Sequence, residues 1–251
     1  MARLSRLEVA GLPHLLLQRA HNFGCLAADD RDAEVWRAAL HQASRDQAVQ
    51  VHGYGLWPQG FLLLLTPTVA PGLSLLMQSV GRRYGAHFNR RHGRSGGLWD
   101  GRFRTTVIDP SAHLLDALAM VESQAGWLAL AAGRRVAATG GDPEPATPPS
   151  WSSKDHHLGR VRDPIVHEAA AWWSLGNTPF ERESNWARRL QDGLAERLAE
   201  RLAHAVDKGW VMADDAFTAE LATRIGRRVQ PLPRGRPRKA VRANVTETPP
   251  I

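Results

Sequence analysis

Four short apolar runs, separated by two stretches of helical period, constrain what this chain can fold into more than any other feature. The runs are residues 12–18, 49–56, 61–65 and 103–108. Between the first two, Asp29 and Asp30 open a segment with Val35, Trp36, Ala39 and Leu40 at the spacing of one inward helix face. Between the last two, residues 73–91 carry Leu73, Leu76, Met77, Val80, Tyr84 and Phe88 on a second helical stripe. Trp57-Pro58-Gln59-Gly60 is a turn signal, and residues 61–65 are apolar on both faces, which predicts a central strand. In residues 49–54, Val49, Val51 and Gly53 alternate with Gln50, His52 and Tyr54, which predicts one buried and one polar face. Asp109-Pro110-Ser111 starts a further helix bearing Leu114, Leu115, Leu118 and Val121. The order β-α-β-β-α-β predicts an α+β fold of the ferredoxin-like kind: a four-stranded antiparallel sheet with helices on one face.

The rest of the chain reads as helical. Residues 133–150 hold four prolines and three glycines and predict a linker. Thr178-Pro179-Phe180-Glu181 combines an N-cap, a proline in the first turn and a glutamate placed to close a capping box. One helix is predicted from there to about Lys208, with Leu190, Leu194, Leu198 and Leu202 on a stripe, and a last one from Asp215 to Ile225. His156 and His157 are adjacent and predict surface positions. The expected organisation is a sheet domain over 1–132, a linker over 133–150, a helical region over 151–230 and a disordered basic tail over 231–251.

Charge gains meaning once it is located. The chain carries 32 basic and 25 acidic side chains, a net +7. Residues 221–251 alone hold eight basic groups against Glu247, so the remainder is neutral as a whole. Inside that neutral body Arg82, Arg83, Arg90, Arg91, Arg94, Arg102 and Arg104 crowd together with only Asp100 among them. Arginine's planar fork suits phosphate oxygens, which points to a polyanion as partner. In the tail, Pro233-Arg234-Gly235-Arg236-Pro237, followed by Arg238, resembles the core of an AT-hook, an extended segment that lies in the minor groove of A·T-rich duplex DNA.

Several classes are excluded or disfavoured. No apolar run approaches the ~20 residues that span a bilayer, so no membrane partner is expected. One cysteine, Cys25, can form neither an internal disulfide nor a cysteine-based zinc site. There is no P-loop and no nucleophile elbow. A cytoplasmic, nucleoid-associated location is expected.

The segment from Gln78 to Arg104, with Tyr84, Phe88-Asn89-Arg90-Arg91, Gly93 and Leu98-Trp99-Asp100-Gly101-Arg102, resembles the REP-associated tyrosine transposases of the HUH superfamily. Leu12-Pro13-His14, Val51-His52-Gly53-Tyr54, Trp151-Ser152-Ser153, Leu175-Gly176 and Lys208-Gly209 extend the likeness along the chain. The resemblance implies a bacterial DNA-transposition protein, a monomer or homodimer, that binds hairpin or single-stranded DNA. It implies cleavage by a helix-borne tyrosine, which would be Tyr84, assisted by Mg or Mn. Such a metal polarises the scissile phosphate, because a phenol with a pKa near ~10 is a poor nucleophile at neutrality. The family's paired metal-binding histidines are replaced here by Gly60 and Leu62, and its Asn-Pro-x-Arg stretch by Gln124-Ala125-Gly126-Trp127. His14 and His52 remain nearby but show no chelating spacing. Two readings therefore stand: a transposase cutting through Tyr84, and a catalytically inactive, repurposed DNA-binding regulator of repeat sequences.

Overall fold

The computed structural model describes residues 6–21, 24–123 and 151–231. The strands are β1 (His14–Arg19), β2 (Val49–Trp57), β3 (Gly60–Pro67), β4 (Arg104–Val107) and β5 (Trp151–Ser152). The helices are α1 (Asp30–Asp46), α2 (Gly72–Arg91), α3 (Leu114–Glu122), the short α4 (Lys154–His157), α5 (Pro179–Asp192), α6 (Glu196–Lys208) and α7 (Asp215–Ile225). A 3-10 turn spans Ala170–Leu175. The sheet order is β4-β1-β3-β2-β5, with antiparallel pairing throughout. The run read as central is central: β3 lies between β1 and β2, with Leu16 opposite Leu63 and Tyr54 opposite Leu63 on the other side.

Alternation along β1 and β3 divides the core in two. Leu16, Phe61, Leu63 and Leu65 meet Trp36 and Leu40 of α1 and Leu76, Val80, Tyr84 and Phe88 of α2. Leu15, Leu17, Leu62 and Leu64 point the other way, to Leu118 and Val121 of α3, Trp186 of α5 and Leu202 and Val206 of α6. The crossover helices α1 and α2 thus share one face as expected. Helices were expected on one face of the sheet, and the structure places α3 and the C-terminal helices on the other face as well. Burial on both sides explains why β2 departs from its apparent alternation. Its His52 and Tyr54 are buried along with Val49 and Val51, and a register shift between Val51 and Gly53 interrupts the period.

Local signals set most boundaries. Asp29 caps α1 by accepting from the Asp32 N–H. The Thr178–Glu181 capping box forms at α5. Asp214 caps α7, and Gly226 ends it in the left-handed region. The single long helix expected to Lys208 is two, because the chain breaks at Gly193, whose φ of 73° suits glycine. The linker, most of the basic tail and Gln124 to Trp127 lie outside the described residues.

Candidate nucleic-acid interface

Strand β1 ends at Arg19, and the glycine-rich loop after α2 returns to it. His21 N–H donates to the Leu98 carbonyl at 2.9 Å, and Asp100 N–H to the Arg19 carbonyl at 2.9 Å. These bonds hold Trp99 against α2. Its indole packs near Phe61 and Tyr84, with ring centroids 6.0 and 6.4 Å away. Gly81 makes the approach possible, since a Cβ there would stand 3.3 Å from the Trp99 ring nitrogen. A left-handed turn at Gly101, with φ of 64°, then sends Arg102 outward and Phe103 inward.

The result is a cleft of about 420 Å³ between the first half of α2 and the loop. Arg6, Arg82 and Arg102 line it, together with Gln18, Gln78 and Trp99, and no carboxylate is among its lining residues. The Arg6 guanidinium stacks 3.9 Å from the centre of the Phe103 ring. Burial and the neighbouring Arg102 charge lower the Arg6 pKa, against an opposing pull from Glu8. That Glu8 carboxylate is itself engaged, accepting the Leu73 N–H at 2.7 Å. Gln18 is buried, and its amide nitrogen donates to the Arg19 carbonyl at 3.1 Å. A crowd of like charges and oriented amides is arranged to receive an anion.

The predicted arginines divide. Arg82, Arg90 and Arg102 are exposed and make no ion pair among the described residues. Arg83 pairs with Asp46 at 3.3 Å. Arg91 pairs with Asp29 at 2.6 Å and with the buried Asp32. Burial alone would raise the Asp32 pKa, but bonds from the Ala28 N–H, Arg91 and His92 outweigh it and hold it low. Arg94 folds back over the Phe88 ring at 5.6 Å and toward the Cys25 carbonyl. Arg104 pairs with Asp207 of α6. Arg234, Arg236 and Arg238 lie outside the described residues. Arg6 and Gln18 join the site without having been singled out for it. A glutamine after three leucines in a strand was the available signal for Gln18.

Tyr84 is fully buried, and its hydroxyl donates to the Leu26 carbonyl. Desolvation, then the charges of Asp32 and Cys25, raise its pKa above the ordinary phenol value. In this arrangement the oxygen is neither exposed nor poised to ionise.

The metal implied by the motifs does not fit the residues present. At Gly60 a Cβ would lie 2.7 Å from the Gln18 carbonyl oxygen and 3.1 Å from the Trp57 ring, so no side chain fits. Leu62 is buried in the core. Both ring nitrogens of His14 are engaged, by the Val9 N–H and the Leu12 carbonyl, and burial lowers its pKa to about 4. His52 bonds the His167 carbonyl and the Thr66 hydroxyl. No group of three or more His, Cys, Asp or Glu able to hold a metal occurs among the described residues.

A second polar cluster lies under the opposite face. Glu122 accepts from His157 Nδ1 at 2.6 Å, from Trp186 Nε1 at 3.0 Å and from the Ser153 hydroxyl. All four side chains are buried, so His157 is a core residue and not the surface one expected. The cluster ties α3, α4 and α5 together.

No helix among the described residues is long and apolar enough to cross a membrane. No family model matches the chain, and no curated protein does. Among solved structures the chain is similar to a REP-associated tyrosine transposase bound to a REP hairpin. That match has 12% identity and a TM-score of 0.45, over 67% of this chain and 92% of the other. It is also similar to a candidate transposase from Deinococcus radiodurans R1. There the identity is 21% and the TM-score 0.34, over 45% of this chain and 88% of the other.

Proposed function

We propose that this protein binds hairpin or single-stranded DNA through its phosphates, as a transposase-like protein that does not cut its target. The observation that carries the reading is the cleft with Arg6, Arg82 and Arg102 on its walls and no acid among its lining residues. Guanidinium forks bind phosphate oxygens in two-pronged fashion, and glutamine amides and an indole beside them suit an unpaired base. At about 420 Å³ the cleft falls within the ~300–1,000 Å³ of sites for small ligands, which suits one stretch of strand and not a duplex.

What supports binding without cleavage is the chemistry of the neighbourhood. A hydroxyl bonded inside the core cannot reach a phosphodiester, and Gly60 and Leu62 cannot ligate a cation through their side chains. The AT-hook-like tail would add contact to A·T-rich duplex. In support, Arg227, a basic residue just after α7, donates to the main-chain carbonyl of Arg6, whose side chain lines the cleft, at 3.4 Å.

The test is fluorescence anisotropy with labelled hairpin and single-stranded DNA over a salt series. Three neutralised phosphates on a single strand give a log–log slope of about −2. Arg82→Gln with Arg102→Gln should weaken binding at least about tenfold and flatten that slope. Unchanged binding in the double variant would remove the cleft from the interface. Incubation with Mg²⁺ or Mn²⁺ should yield no covalent protein–DNA adduct.

A further inference from the structure

Two arginines stand at the same end of the sheet as the cleft, on neighbouring strands. Arg19 closes β1 and Arg104 opens β4, where it pairs with Leu17. A narrow crevice lined by Gln18, Arg19, Asp100, Arg102 and Arg104 adjoins the cleft, sharing Gln18 and Arg102 with it. Both guanidinium groups turn to one carboxylate oxygen, Asp207 Oδ1. Arg19 reaches it at 3.4 Å, and Arg104 meets it directly while also donating to the Asp207 main-chain carbonyl at 3.1 Å. Lys208 Nζ lies 3.4 Å from the other oxygen.

The placement of Asp207 is not what α6 would select for itself. It occupies the last turn, where the helix dipole favours cations and disfavours a carboxylate. Its surroundings hold it there: three cationic groups converge on one anionic fork, as they would on a phosphodiester. Arg19 is 11% exposed beneath it, whereas Arg104 at 43% and Asp207 at 29% are open to solvent.

We propose that Arg19 and Arg104 form a second phosphate-binding site, continuous with the cleft, which the protein fills with its own Asp207 carboxylate. The proposal rests on the reading of the cleft as a DNA site. It makes Asp207 an affinity-setting residue. DNA engages the cleft first, and the neighbouring phosphate reaches Arg104 only by displacing the carboxylate.

Anisotropy with a labelled single strand, across a salt series, tests this on the full chain. Asp207→Asn should bind about three- to tenfold tighter than wild type, with a slope steeper by about 0.7 for one added phosphate. Arg104→Gln should cancel that gain when added to Asp207→Asn, because Arg104 is the group the added phosphate meets. No gain in Asp207→Asn, or a gain that survives the addition of Arg104→Gln, overturns the proposal. If Asp207→Asn fails to fold by circular dichroism, Asp207→Ala, with and without Arg104→Gln, is measured in its place by the same criteria. Wild-type binding that responds to Arg82→Gln but not to the Asp207 change sinks this site and spares the cleft. Absence of DNA binding by the wild type sinks both.

Discussion

The Tyr84 hydroxyl donates its hydrogen bond to the main-chain carbonyl of Leu26, joining the middle of α2 to the segment that leads into α1. The bond gives a task in the core to the residue that the resemblance in sequence would make a nucleophile. Its ring is packed beside Phe88, 6.0 Å between centroids, and beside Trp99.

Tyr84→Phe should therefore register as a loss of stability and not of binding. It leaves a buried carbonyl unpaired, which costs about 1–2 kcal/mol. Urea denaturation should show a lower midpoint with an unchanged slope, and DNA affinity should stay within about twofold. A variant as stable as wild type that had lost a metal-dependent adduct would restore the nucleophile.

Reinstating the histidine pair should fail. Even Gly60→Ala forces a Cβ against the Gln18 carbonyl, a backbone atom, at an overpacking cost of about 1–3 kcal/mol. Gly60→His with Leu62→His adds a polar ring to the core and should be less stable still. Calorimetric titration with Mn²⁺ should show no site; saturable binding by a folded double variant would refute this.

Legibility in the sequence followed range. The stripe of Leu73, Leu76, Val80, Tyr84 and Phe88 is a local pattern, and every member sits in the core as read. The break at Gly193 escaped because Leu190, Leu194, Leu198 and Leu202 keep a four-residue spacing across it, and only the glycine marks the turn. Charge pairing was illegible for a different reason. Which of the clustered arginines stay unpaired depends on carboxylates far away along the chain, such as Asp29 for Arg91 and Asp207 for Arg104. The covered second face was hinted at by the continuous apolar run of β3, but a run of leucines does not say which segment packs on it.

Glu122→Gln should loosen the C-terminal region. The amide nitrogen that replaces one carboxylate oxygen cannot accept, so either the Trp186 bond or the His157 and Ser153 pair is lost, and the bonds that remain go to an uncharged oxygen. Bonds to a charged acceptor are worth about 1.5–3 kcal/mol, so a loss of about 2–3 kcal/mol in urea unfolding is expected. Wild-type stability in the variant would mean that the cluster is incidental.

Acid should destabilise the fold between pH 6.5 and about 4, the interval over which His14 resists protonation in the folded state. Burial depresses its pKa. The unfolded chain therefore takes up a proton first as pH falls, and stability present above 6.5 is lost on the way down. The full interval corresponds to about 3 kcal/mol. His52, also depressed by burial, acts with the same sign. Urea midpoints along a pH series should fall less steeply in His14→Gln than in wild type; parallel curves would assign the loss elsewhere.

Leu15, Leu17, Leu62 and Leu64 form one side of a dry seam whose other side is Trp186, Leu202 and Val206. Halves produced separately, residues 1–123 and 151–251, would each present a raw oily surface to water and should precipitate. Mixed during refolding, they should find one another and yield a soluble pair, because the seam buries apolar side chains that each half supplies to the other.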